Sequence, residues 1–205
     1  MRTARSAPLA AAALALIAFP AAAASPGTMT NAAAFEPSYA GNEIDGCILS
    51  FEAYQRADAA DGGELVQLTG SLAVYRQPLA VMMKLAIGHL SPDRKLSFTP
   101  PAMAGLQDGG AINAASLIQS GASEDTPGAA LFIYNFDAAT VNLLRASLNA
   151  DKIQGYFVQK AGGPVTPFAI DLGMMKQPLP GAPIGTGNGV GAMKTCVQGL
   201  VAPTP

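Results

Sequence analysis

The chain of 205 residues is half hydrophobic, only 13% charged, and carries a formal net charge of −2. Two of its 12 basic residues, Arg2 and Arg5, lie in the N-terminal leader, so the remainder sets ten bases against 14 acids and nets −4. No basic run is longer than Arg94-Lys95. That balance excludes tracking of a phosphate backbone, and nucleic acid is not an expected partner.

Residues 1–24 read as a signal peptide. Arg2 and Arg5 supply its positive end, and Pro8 to Phe19 an apolar segment too short to span a bilayer. Ala22-Ala23-Ala24 before Ser25 suits a signal peptidase, which places cleavage between Ala24 and Ser25. No cysteine sits there to carry a lipid, and the arginines are not adjacent, so Sec export is expected. The alanine-rich leader suggests a bacterium, with the mature chain in the periplasm or outside the cell. After residue 24 no apolar run reaches the length of a bilayer crossing, so no transmembrane helix is expected in the mature chain.

In an oxidising compartment the only two cysteines, Cys47 and Cys196, are expected to pair. Closing so long a loop removes unfolded-state entropy worth roughly 5 kcal/mol in the chain-entropy picture. The spacing lacks the Cys-X-X-Cys geometry of a redox-active pair, so the bridge is read as a structural staple.

Residues 25–43, rich in Ser, Pro, Gly, Thr, Asn and Ala, are expected to be a flexible lead-in, and 44–201 the globular domain. Ile44 to Tyr54 reads as a strand, followed by a turn through Asp58, Asp61 and Gly62-Gly63. Leu65 to Tyr75 partly alternates. Leu79 to Leu90 fits a strand or a short helix, and Lys95 to Thr99 alternates again before Pro100-Pro101. Ala130 to Phe136 reads as a strand, and Asp137 as the N-cap of a helix through Leu148 with an apolar stripe of Val141, Leu144 and Leu148. Strands at Ile153 to Val158 and Val165 to Leu172 flank Gly162-Gly163-Pro164. A last helix from Gly191 to Val201 carries Cys196, and 202–205 form a tail. The expectation is a mainly β single domain with one or two helices, antiparallel and sandwich-like.

The run Phe168-Ala169-Ile170-Asp171-Leu172, a glycine-containing loop, then Gly191-Ala192-Met193 and Cys196 resembles the C-terminal part of small periplasmic proteins of the invasion-associated locus B type. The resemblance implies a β-sandwich exported to the envelope and no catalytic residues to carry over.

Motifs for chemistry are weak. Gly187-Asn-Gly189-Val-Gly-Ala192 matches a relaxed G-x-G-x-x-A loop, but it follows Pro-rich chain close to the C-terminus, with no room for a second strand and distal acid. Neither G-x-S-x-G nor S-x-x-K occurs, and His89 is the sole histidine, read as half-buried or at an edge. Met82-Met83 and Met174-Met175 suit Cu(I) by softness, yet adjacent strand residues point to opposite faces. Asp58, Asp61 and Glu64 lack EF-hand spacing. Paired carboxylates for sugar chemistry meet only in a fold, and the absence of tryptophan counts against them. Tyr54, Tyr75, Tyr134 and Tyr156 are read as buried with their hydroxyls at the rim. No catalytic residue, cofactor or metal is therefore assigned.

The functional expectation is a non-catalytic exported envelope protein that binds a protein or envelope component through strand edges or a loop face. The alternative is a periplasmic carrier of a small apolar ligand, which needs a closed cavity lined by Leu, Met and Phe.

Overall fold

A computed structural model describes residues 27–56, 65–91, 93, 95–174 and 189–201. The leader, Ala24, Ser25, the turn acids Asp58, Asp61 and Glu64, Gly187, Met175 and the tail 202–205 lie outside them. The first element is β1 (Thr28–Ala40), followed by β2 (Glu43–Arg56), β3 (Leu65–Arg76), β4 (Leu79–Leu90) and β5 (Leu96–Thr99). Then come β6 (Met103–Asp108), β7 (Ala111–Ile112), β8 (Leu117–Ala122), β9 (Ala129–Asn135) and helix α1 (Ala138–Asn149). Strands β10 (Lys152–Val158) and β11 (Thr166–Asp171) and helix α2 (Gly189–Val201) complete the order. All strand pairs are antiparallel, in two sheets that share one core. The larger runs β1-β2-β3-β4-β9-β8, with β5 continuing beside the far end of β4, and the smaller runs β11-β10-β6-β7.

The lead-in expected at 25–43 is corrected by β1, which pairs with β2 from Thr28↔Gln55 to Ala40↔Glu43. Its alanines and Pro37 have poor strand propensity, so pairing along a long partner decides its conformation, and an edge position tolerates the proline. The two residues between the strands are Gly41-Asn42, and Gly41 holds φ +64, the left-handed backbone of a tight hairpin. Strands β6, β7 and β8 are also absent from the sequence reading. Their Gly- and Ala-rich segments hide the period of two, and Gly105 shows why: a Cβ there would stand 2.4 Å from Asn113 Oδ1.

Segment 79–90 resolves as a strand because Val81, Met83, Leu85 and Ile87 all face the core. In α1, Asp137 caps the helix by accepting from Thr140 N at 2.9 Å, as expected. Its buried stripe is Thr140, Leu143, Leu144, Ser147 and Leu148, one step round from the predicted face, because two small polar residues fit where the helix meets β6 and β10. In α2, Val190, Met193, Cys196, Val197 and Leu200 are buried at helical spacing, and the helix lies against β1, β2 and β3. Cys47 of β2 and Cys196 are at disulfide distance, with Sγ–Sγ 2.02 Å and Cα–Cα 6.0 Å. The bridge fixes α2 to the core face of the larger sheet.

The two sheets meet at a polar seam. On β11, Pro167, Ala169 and Asp171 share the side turned toward β1. Pro167 has no N–H to leave unpaired, Ala169 N donates to Thr28 Oγ1 at 3.2 Å, and Asp171 N donates to Thr30 Oγ1 at 2.8 Å. Gln55, 1% exposed, donates through Nε2 to Pro167 O at 3.0 Å and accepts from the Thr28 hydroxyl at 3.1 Å. The edge of β11 is thereby closed by side chains rather than by another strand. Phe51 and Phe168, 6.0 Å apart between ring centroids, pack from the two sheets.

Replacing Gln55 by Leu keeps the volume but strands the Pro167 carbonyl, which costs about 1–3 kcal/mol. Urea unfolding of Gln55→Leu is expected to show that loss; unchanged stability would contradict the seam.

Candidate functional site

The solvent face of the larger sheet is organised by register. Outward residues form rows across the strands, among them Ala34↔Ser50↔Ser71↔Lys84 and Ala32↔Glu52↔Thr69↔Ala86. All of these residues except Ala86 line a shallow groove of about 350 Å³ that crosses four strands. Small side chains create it: Ala32, Ala34, Ser50 and Ser71 leave space that larger residues would fill.

Each end of the groove carries charge. A bulge between Thr30 and Ala32 turns Asn31 outward, where its amide donates to Glu52 Oε1 at 2.9 Å, and the Tyr54 hydroxyl donates to the same oxygen at 3.1 Å. That contact with Glu52 raises the Tyr54 hydroxyl pKa. At the other end Lys84 Nζ donates to both Asp125 oxygens, at 2.9 and 2.7 Å, and to Thr126 Oγ1 at 3.4 Å. Asp125 also accepts from Ser123 Oγ at 2.6 Å, so the β8–β9 loop is held down on the sheet. The Lys84 bond, then the Ser123 bond, holds the Asp125 carboxyl well below the ordinary carboxylate range. Between the ends, Thr69 Oγ1 is shielded from solvent with no hydrogen-bond partner among the described residues.

The second surface is an edge. Strand β8 closes the larger sheet with nothing paired on its outer side among the described residues. Its sequence Leu-Ile-Gln-Ser-Gly-Ala has no charge and no proline, and Ile118 is 56% exposed. The bulge between Leu117 and Gln119 is its one protection.

The residues singled out in the sequence do not gather at either surface. His89 is half-buried at the end of β4, in register with Val66 and Ser97, and does not line the groove. Met83 is in the core while Met82 is half-exposed on the opposite face. Gly189 to Ala192 form the first turn of α2. Among the described residues no three His, Cys, Asp or Glu side chains are arranged to hold a metal ion, and no helix is long and apolar enough to cross a membrane. The reading of the tyrosines is corrected for two of four. Tyr134 and Tyr156 are wholly buried, hydroxyls included: Tyr134 fills the core beside Phe132, whereas Tyr156 lies on the face of β10 opposite Ile153 and Phe157, level with Gly105 of β6. The Tyr134 hydroxyl donates to the Ala104 carbonyl, and burial, with Tyr156 beside it, raises its pKa. Burial raises that of Tyr156 too. Lys84, Glu52 and the β8 edge were not singled out. Lys84 carried a signal, as the one charge inside the apolar run 79–90.

No family model, curated protein or solved structure matches the chain. Its chemistry is therefore read from the two surfaces alone. One offers mixed hydrogen-bonding groups on a rigid sheet, the other an unpaired backbone.

Because the folded-state pKa of Asp125 is depressed, its contribution to stability is present at neutral pH. It fades as pH falls below about 4, the ordinary carboxylate value, toward the folded pKa. Asp125→Asn is expected to melt below the unmodified chain at pH 7 and to converge with it in strong acid. Equal melting at pH 7 would show that the pair contributes nothing.

Proposed function

We propose that this is an exported, non-catalytic bacterial envelope protein that binds a protein partner by strand addition at β8. The observation that carries the reading is the contrast between edges: β11 is closed by Pro167, Thr28, Thr30 and Gln55, whereas β8 has no such covering among the described residues. An uncharged edge with exposed backbone is a template for an extended segment, whose main-chain hydrogen bonds supply affinity. Export is supported by the leader Arg2 to Ala24 and by the Cys47–Cys196 bridge, which belongs in an oxidising compartment. The resemblance of residues 168–196 to the invasion-associated locus B type supports the envelope as destination. A staple from β2 to the last helix suits a chain that must hold its fold outside the cytoplasm.

A substitution at Gly121 separates edge binding from folding. A Cβ there meets nothing within 4 Å, so Gly121→Lys adds a charge to the edge without disturbing the sheet. Used as bait in periplasmic extract, the unmodified mature chain is expected to retain a partner that Gly121→Lys loses, with melting temperature unchanged. Equal retention by both would refute strand addition. Recovery of bound lipid with no protein would replace the reading with the apolar carrier.

A further inference from the structure

We infer that the segment which adds to β8 carries an aromatic residue, phenylalanine or tyrosine, directly opposite Gly121. The inference rests on strand addition at β8 and names the chemistry of the partner at that same edge.

Strand glycines in this protein are covered by rings. Six glycines lie within strands among the described residues: Gly46, Gly70, Gly88, Gly105, Gly121 and Gly155. Five of them face an aromatic residue in register on a neighbouring strand: Gly46↔Tyr75, Gly70↔Phe51, Gly88↔Phe98, Gly105↔Tyr156 and Gly155↔Phe168. Aromatic residues make up 6% of the chain, so composition does not produce the pattern. Its cause is local. A strand glycine leaves a gap in the row of side chains with bare backbone beneath it, and the residue directly opposite shares its face, so a ring there folds over the gap. A Cβ on Gly46 would stand 2.7 Å from the Tyr75 ring, one on Gly88 2.9 Å from the Phe98 ring, and one on Gly70 3.0 Å from the Phe51 ring. The rings occupy the space that the missing side chains leave.

Gly121 is the exception. Its register partner is Leu131, and a Cβ on it would meet nothing within 4 Å. Because β8 is the edge strand, the position on the other side of Gly121 is open among the described residues, and an added strand supplies it. A ring at that position lies over Gly121 on the solvent face and packs toward Leu131, which is half-buried in the row Gly121↔Leu131↔Lys84. Phe98 makes the same crossing on this sheet. The space over Gly88 is shared by its ring and by Gln67 of the strand beyond, whose Cβ is 3.2 Å from where a Cβ on Gly88 would be. An alanine or leucine opposite Gly121 has no flat face to lay across the bare backbone.

The test is an amide chemical-shift titration of the isotope-labelled mature chain with four capped heptapeptides, Lys-Thr-Val-Xaa-Val-Thr-Lys, in which Xaa is Tyr, Phe, Leu or Ala. Lysine at both ends suits the exposed Glu124 that follows β8, whichever way the peptide runs. The Tyr and Phe peptides are expected to shift the β8 amides around Gly121 and to bind at least about fivefold more tightly than the Leu and Ala peptides. Gly121→Val fills the space, keeps the edge uncharged and meets nothing within 4 Å of its Cβ, and it is expected to bind all four peptides alike. Equal binding of the four peptides at β8 of the unmodified chain, or an aromatic preference that survives in Gly121→Val, would overturn the aromatic partner and leave strand addition standing. No shift at β8 with any peptide would overturn strand addition itself, and this inference with it.

Discussion

A single buried glutamine and two threonines hold the two sheets of this protein together where no strand pairs across them. Gln55 reaches the Pro167 carbonyl, while Thr28 and Thr30 accept the two outward amides of β11. The net value of each bond is about 1 kcal/mol, but each group left stranded in the core costs about 1–3 kcal/mol, so the seam is specified by what its loss leaves unpaired. Everything apolar beneath it depends on that closure, including Phe51 against Phe168 and Phe157 against Phe168 at 6.3 Å. The disulfide acts further along the same strand pair, at Cys47 opposite Pro37, where it fixes α2 against β1, β2 and β3. Of these, β1 and β2 supply the seam.

Closing one edge gives the open one its meaning. A strand edge left unpaired is a hazard that folds usually cover with charge, proline or a capping element, and β11 has both proline and capping side chains. Strand β8 has a bulge alone. The outer face of the same sheet carries a second unusual feature, two rows of small and hydroxyl side chains with a carboxylate at one end and an ammonium at the other. The Lys84–Asp125 pair lies between that face and β8: it anchors the β8–β9 loop while bordering the groove.

Much of the fold was legible because its strongest elements announce themselves locally. Strands 44–54, 65–75 and 130–136 alternate apolar residues, Asp137 stands where a helix must be capped, and two cysteines admit one pairing. The losses have a common cause. Strand β1 and strands β6 to β8 are built from Ala, Gly, Ser and Thr, whose burial comes from the neighbours they pair with, not from their own hydrophobicity. Gly41-Asn42 was a usable hairpin signal, and the composition around it masked it. The seam was beyond local reading, since Gln55 and Pro167 are separated by most of the domain and nothing near either residue reveals the other. The groove is hidden for the same reason: Ser50, Ser71 and Lys84 become neighbours only through register across three strands. His89 and the methionine pairs drew attention by rarity, which says nothing about convergence.

Native-state hydrogen exchange compares the two edges in one experiment. The amides of Ala169 and Asp171, held by the Thr28 and Thr30 hydroxyls respectively at the seam, are predicted to exchange as slowly as paired amides of the core strands. The amides of β8 that do not pair with β9 are predicted to exchange rapidly in the unliganded chain. Rapid exchange at Ala169 and Asp171, matching that of the β8 edge, would contradict a sealed seam and with it the contrast on which the proposed function stands.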